Sequence, residues 1–212
     1  SPDPLEAFDL VCEYDPDPAY VLVGRIGSGC ARRANVVLPL LVPWLQAPDP
    51  VERREALYAT ACWAALAGAD TPLPPAAFTA LRTVAIDDTA DLDTRVDCVL
   101  GLAAGTDSRD LLADSSAVIR ACAALAPAAA GDPRTLRVIT EALASTDDCD
   151  NWLRDQPPVP FGAGWLKSRL VHAAIRCADR FEQLLPAALS IAATTVAWDA
   201  DRTWGPLLEA AF

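Results

Sequence analysis

The most informative pattern in this chain is a polar helix start followed by an apolar, alanine-rich run, and it recurs four times. The copies read DPVERREALYATA from Asp49, DLDTRVDCVLGLA from Asp91, SSAVIRACAALA from Ser115 and, more loosely, DPRTLRVITEALA from Asp132. A leading Asp or Ser can cap a helix by accepting a hydrogen bond from a backbone N–H that lacks a partner within the helix. An Arg follows in each copy, before the apolar run. A helix start repeated along a chain predicts a helical-repeat protein.

Proline and glycine residues divide the rest of the chain into further predicted helices. In the first repeat, Asp49 opens a helix that Gly68 ends. The other predicted helices cover residues 32–46, 75–86, 94–104, 108–113, 116–129, 133–145, 165–178 and 181–198, and TWGPLLEAAF closes the chain as a short helix. VLVGRIGSG at residues 21–29 alone has the pattern of a strand. We therefore predict an all-α fold in one domain of residues 1–212, with an irregular segment at 1–30 and an insert at 146–164.

The charge balance narrows the choice of partner. The chain has 29 acidic and 17 basic residues, and its formal net charge is −12. Nucleic-acid binding requires a basic surface that displaces counterions from the phosphates, so this charge disfavours a nucleic acid as partner. Opposite charges steer two proteins together, so a basic protein is the easier partner to accommodate.

Cysteine spacing and hydropathy indicate the compartment. The seven cysteines are an odd number at long spacings, without a CxxC pair or a His/Cys pair at metal-binding distance. Cys62, Cys98, Cys122 and Cys177 fall inside apolar helical runs, where the thiol acts as a small apolar group. The longest apolar stretch, residues 184–198, is shorter than the roughly 20 residues that span a bilayer. These features predict a reduced, cytoplasmic protein that has no membrane association.

The repeat starts resemble those of HEAT repeats, in particular the short HEAT-like repeats named after phycobilin lyases. Residues 27–45 also look similar to the N-terminal part of actinobacterial HEAT-repeat proteins. The resemblance implies an α-solenoid of antiparallel helix pairs in a right-handed superhelix. It also implies that the Asp residues cap helices and that the Arg residues form a ladder of contacts between repeats. The residues concerned are Asp49, Asp91 and Asp132 as caps, with Ser115 or Ser116 as the cap of the third copy, and Arg53, Arg95, Arg120 and Arg137 as ladder residues.

Three features suggest chemistry, and each also has an ordinary structural explanation. Asp87, Asp88 and Asp91 form the DDxxD pattern with which isoprenoid synthases hold Mg²⁺, but they also fit a helix end, a turn and the next cap. GRIGSG at residues 24–29 suggests a phosphate cradle but lacks the P-loop and dinucleotide spacings. His172 is the single histidine and lies mid-helix without a nucleophile signature nearby. We predict no catalytic residue and no cofactor.

The insert at residues 146–164 is the best candidate for a binding segment. It is the longest irregular stretch, and it surrounds Trp152 with acidic residues. An aromatic side chain among acids is typical of an anchor for a basic protein partner. The acidic residues are Asp147, Asp148, Asp150 and Asp155.

Three functions remain open at this point. The first is a non-enzymatic protein-binding scaffold, in a finer version an immunity-type protein that neutralises a basic partner. The second is a small Mg²⁺-dependent enzyme of the isoprenoid type that uses Asp87, Asp88 and Asp91. The third is a DNA glycosylase-like HEAT protein, which the acidic charge disfavours.

Overall fold

The computed structural model describes residues 33–67, 72–103, 105–145, 163–194 and 200–211. Every regular element in these ranges is helical, which confirms the all-α prediction. The α-helices are α1 (Ala34–Leu41), α2 (Pro50–Ala67), α3 (Pro75–Ala85), α4 (Leu92–Ala103), α5 (Ala117–Ala123), α6 (Pro133–Ala144), α7 (Ala163–Cys177), α8 (Leu185–Thr194) and α9 (Ala200–Ala211). Short 3-10 helices lie between them at Val42–Gln46, Arg109–Ala113, Pro127–Ala129 and Phe181–Gln183. The strand-like segment at residues 21–29 lies outside the described ranges.

Proline residues account for the places where long predicted helices are broken. The helix predicted at 116–129 ends at Ala123, and Ala126 is extended with φ −61° and ψ 131°. A residue that precedes proline avoids the helical region, so Pro127 forces this break. The helix predicted at 32–46 likewise changes into a 3-10 helix that has Pro43 in its first turn. In the segment predicted as helix 181–198, Pro186 lies in the first turn of α8, where a missing N–H costs no hydrogen bond.

The helices pack mainly against those one or two places away along the described chain. α4 packs against α2, α3 and α5, α6 packs against α5, α7 and α8, and α9 packs against α7 and α8. One buried cluster extends from Ala61 in α2 to Leu207 in α9. A second, small cluster joins Ala34 and Leu38 of α1 to Trp63 of α2. Burial of each large aliphatic side chain stabilises the fold by about 1.5–3 kcal/mol.

Small residues allow close contact where α4 crosses α2. Gly101 of α4 abuts the backbone of Ala61 of α2. Val99 is fully buried and Leu100 is 5% exposed, as predicted for the core-facing side of this helix. No helix within the described ranges is both long and apolar enough to cross a membrane.

Candidate functional site

Two arginines bind the backbone just before their own helices through the same pair of contacts. Arg53 comes four residues after the cap Asp49 of α2, and its Nη1 donates to the carbonyls of Ala47 at 2.6 Å and Pro48 at 2.9 Å. These carbonyls lie six and five residues before Arg53. The same offsets recur before α5.

Arg120 comes four residues after Ser116, the residue that precedes α5. Its Nη1 donates to the carbonyls of Asp114 at 2.7 Å and Ser115 at 3.0 Å. Because a guanidinium that donates to two carbonyls makes charge-assisted bonds, each arginine fixes the angle at which the chain enters its helix. We call this arrangement the carbonyl clamp of Arg53 and Arg120.

Arg95 holds the corresponding position after Asp91 but reaches out to neighbouring elements. Its Nε donates to the carbonyl of Ala85, at the end of α3, at 3.2 Å. Its Nη2 donates to Oδ2 of Asp114, just before α5, at 2.6 Å. The side chains of Arg95 and Asp114 are only 6% and 12% exposed. The predicted contacts of Arg95 with a carboxylate or a carbonyl outside its own helix are therefore present.

Asp114 joins these arginines into one network. Its Oδ2 accepts from Arg95, its backbone carbonyl accepts from Arg120, and its Oδ1 accepts from the backbone N–H of Ser116 at 2.8 Å. Ser116 makes no capping bond of its own, so the expected serine cap of α5 is wrong and Asp114 provides the bond instead. The sequence offered a signal for this, since an Asp two residues before a helix start often forms a turn with its own backbone. We call Arg95, Asp114 and Arg120 the Asp114 network.

The predicted aspartate caps are present. Oδ1 of Asp49 accepts from the N–H of Val51, and Oδ1 of Asp132 accepts from the N–H of Arg134, both at 2.9 Å. Asp91 accepts from the N–H and the hydroxyl of Thr94 at 3.0 and 2.9 Å. These bonds stabilise the charged form and lower the pKa of Asp91 below its ordinary value.

Arg137 occupies a different environment from the other three arginines. Its side chain is 71% exposed and pairs with Glu141 one helical turn later at 3.8 Å. The reason is the register, because Arg137 follows its cap Asp132 by five residues. The fourth position belongs to Leu136, which packs against the core. The ladder role predicted for Arg137 therefore does not match its position.

A second polar line uses two of the chain's Asp-x-Arg triplets, one exposed at Asp107 and Arg109 and one half-buried at Asp132 and Arg134. Arg109 binds both carboxylate oxygens of Asp107 through Nε, at 2.9 and 3.0 Å. Arg134 binds both oxygens of Asp132 at 2.9 and 2.7 Å and also donates to the carbonyl of Arg109 at 3.0 Å. The hydrogen bonds from these arginines lower the pKa of Asp107 and of Asp132 to about 2. The sequence analysis missed this line, although the repeated Asp-x-Arg pattern could have indicated it.

The DDTAD segment lies in the turn between α3 and α4. Asp87 accepts from the N–H of Thr89 at 3.0 Å and from its hydroxyl at 2.7 Å, which lowers the pKa of Asp87. Asp91 caps α4, and Asp88 is exposed. Among the described residues, no three or more His, Cys, Asp or Glu side chains are grouped so that they could hold a metal ion. The geometry is that of a turn and a helix cap.

The remaining candidates are scattered or lie outside the described ranges. His172 is exposed on α7. Residues 24–29, Trp152 and its acidic neighbours all lie outside the described ranges. The acidic neighbours are Asp147, Asp148, Asp150 and Asp155.

A cleft of about 350 Å³ lies between the first 3-10 helix and the start of α3. Its lining is mostly apolar and consists of Val42, Leu45, Gln46, Pro75, Ala76, Thr79 and Ala80. The same 3-10 helix carries Trp44, which is 53% exposed. Thr79 directs its hydroxyl to the carbonyl of Pro75 at 2.9 Å, so this polar group is satisfied within its own helix.

Comparison with protein-family models, with curated proteins and with solved structures gave no match. The HEAT-like assignment therefore stays a prediction that depends on the residues of this chain.

Proposed function

We propose that this chain is a HEAT-like helical-repeat protein that binds another protein and catalyses no reaction. In this proposal its helices form antiparallel pairs in a right-handed superhelix. The observation that carries the proposal is the carbonyl clamp, in which Arg53 and Arg120 make the same two contacts at the same offsets. Identical contacts at separate helix starts are expected of a repeated structural unit.

The packing order supports the same proposal. The packing is local, because each described helix packs chiefly against helices one or two places away along the described chain. Repeat proteins have this property because each unit is stabilised chiefly by its neighbours. Such proteins present an extended surface, and binding to another protein is its usual role.

Exposed apolar side chains on α1 and the following 3-10 helix favour protein binding. Val36, Leu40 and Trp44 are spaced four residues apart and are 64%, 65% and 53% exposed. Val36 and Leu40, four residues apart in the α-helix, lie on the same side of α1, and Trp44 follows in the 3-10 helix. Apolar and aromatic side chains grouped in this way are typical of contact surfaces between proteins.

The finer proposal is an immunity-type protein whose partner is basic. The net charge of −12 supports it, because an acidic surface accelerates encounter with a basic protein. The acidic residues around Trp152 are the proposed anchor of that partner.

Co-expression with the basic product of a neighbouring gene tests this proposal. We expect a complex that survives size-exclusion chromatography at low salt and weakens as salt rises. Changing Asp147, Asp148, Asp150 and Asp155 to Asn should weaken it. The matched control removes four exposed acidic charges elsewhere, at Glu52, Glu55, Asp179 and Glu182. If both variants weaken the complex equally, net charge alone determines its affinity. The absence of any complex with a basic protein would contradict the finer proposal.

A further inference from the structure

Asp97 is an acidic residue placed where its charge is poorly accommodated. It lies on α4 one turn before Gly101, which abuts Ala61, so it is on the side of α4 that faces α2. Its Oδ1 is buried and has no hydrogen-bond partner. A buried carboxylate oxygen without a donor loses its hydration without compensation.

The nearest charges on the same segment are also negative and disfavour the ionised form of Asp97 further. Asp93 lies four residues earlier on the same helix, and Asp91 caps that helix. Burial first, and then the negative charges of Asp93 and Asp91, raise the pKa of Asp97 to about 7. Burial and the neighbouring Asp97 also raise the pKa of Cys98 to about 12, so Cys98 stays an uncharged thiol and neither adds to nor balances the negative charge.

The cations on the helices packed around α4 all have other partners. Arg95 binds Ala85 and Asp114. On the three packed helices, Arg53 of α2 binds backbone carbonyls, Arg54 of α2 lies near Glu55, Arg82 of α3 pairs with Asp110, and Arg120 of α5 binds backbone carbonyls. The other titratable side chains of these helices are Glu52, Glu55, Tyr58 and Cys62 on α2 and Cys122 on α5. None of these can bring a positive charge to Asp97.

We propose that Asp97 is a proton-operated switch in the contact between α4 and α2. As a neutral acid it fits the contact, whereas as a carboxylate it places an unpaired charge there and loosens the packing of α4. The sign of the change in stability with pH follows from proton linkage. Where the folded state keeps a proton that the unfolded state has released, the folded state becomes less stable as pH rises. For Asp97 this loss falls between about pH 4, the ordinary value of an aspartate, and about pH 7.

Urea unfolding of the full chain at pH values from 5 to 8 tests the proposal. We expect Asp97→Asn to abolish most of the fall in stability of the wild type over this range. At pH 8 the unfolding equilibrium constant of Asp97→Asn should be at least about 10-fold smaller than that of the wild type, which corresponds to about 1.4 kcal/mol. Asp93→Asn should have a smaller effect in the same direction, because it removes one of the two repelling charges.

Asp132→Asn is the matched control. It makes the same chemical change at a cap whose pKa is lowered to about 2, so it should reduce stability without altering the pH dependence above pH 5. Parallel curves for the wild type and Asp97→Asn would overturn the proposal. If Asp97→Asn fails to fold, the carboxyl carbon resonance of Asp97 in the wild type decides instead. A titration midpoint near 7 supports the switch, and a midpoint near 4 overturns it.

Discussion

Gly101 of α4 lies so close to Ala61 of α2 that it has no room for a side chain. A Cβ atom added to Gly101 would be 2.9 Å from the Cα of Ala61 and 3.1 Å from its carbonyl oxygen. These are backbone atoms of a packed helix, so they cannot rotate away as the end of a flexible side chain could.

The first prediction is that Gly101→Ala destabilises the fold, despite the higher helix propensity of alanine. The added methyl group has to separate α4 from α2, and overpacking of this kind costs about 1–3 kcal/mol. Gly131→Ala is the control, because a Cβ there would meet nothing within 4 Å. We expect that variant to be neutral or more stable by up to about 1 kcal/mol. Urea melts measure both, and equal midpoints would mean that the two helices are less tightly packed than described.

The second prediction concerns the Asp114 network. Arg95→Ala removes a charge-assisted bond to Asp114 and a bond to Ala85, so it should cost about 1.5–3 kcal/mol. Arg137→Ala is the matched control, because that arginine is 71% exposed and forms a loose surface pair, and it should cost less than about 0.5 kcal/mol.

A double-mutant cycle of Arg95→Ala with Asp114→Ala separates the pair from its surroundings. We expect a coupling free energy of at least about 0.5 kcal/mol, because the two residues are in direct contact. Additive effects of the two substitutions would show that the ion pair contributes nothing of its own.

The third prediction tests the core. Leu100 is 5% exposed, so Leu100→Ala should cost about 2–5 kcal/mol through lost burial and a residual cavity. Leu189 is 69% exposed on α8, so the same substitution there should cost less than about 0.5 kcal/mol. Thermal and urea unfolding should agree on this order. A small effect at Leu100 would place the centre of the core elsewhere.

Individual residues show what could and could not be predicted from the sequence. Local chemistry was sufficient for the all-helical class, for the caps at Asp49, Asp91 and Asp132, and for the burial of Leu100, although it overextended the helices predicted at 32–46 and 116–129. It failed where the answer depends on contacts between distant segments. The role of Asp114 was not predicted, because its carboxylate accepts a hydrogen bond from Arg95, which lies on another helix. Lys167 is 3% exposed, and no local pattern marks it as buried.

Arg137 illustrates a second limit, which is register. A shift of one residue along a helix turns a side chain by about 100°, and this places Leu136 rather than Arg137 towards the core. In this copy the arginine follows the aspartate by five residues rather than four, and as a result Arg137 is exposed. Of the proposed binding residues, Trp152 and the acids around it stay predictions.

The fourth prediction is a loss of stability in acid. Arg109 and Arg134 lower the pKa of Asp107 and of Asp132 to about 2. A pKa that is lower in the folded state adds stability above about pH 4, and this stability is lost as pH falls towards 2. The variant with both Asp107→Asn and Asp132→Asn should therefore show a shallower decline in its urea midpoint between pH 4.5 and pH 2.5 than the wild type. Declines of equal slope would mean that these two Asp–Arg pairs do not persist in solution.

Three of the described helices carry a buried thiol, and α4 packs against both of the other two. Cys62 lies on α2, Cys98 on α4 and Cys122 on α5, and all three are buried. An alkylating reagent can modify such a thiol only after the surrounding helices separate. Peptide mapping by mass spectrometry would therefore give separate opening rates for α2, α4 and α5 in the native protein. The chain carries its own set of reporters, and these can show whether its helices open one at a time or all together.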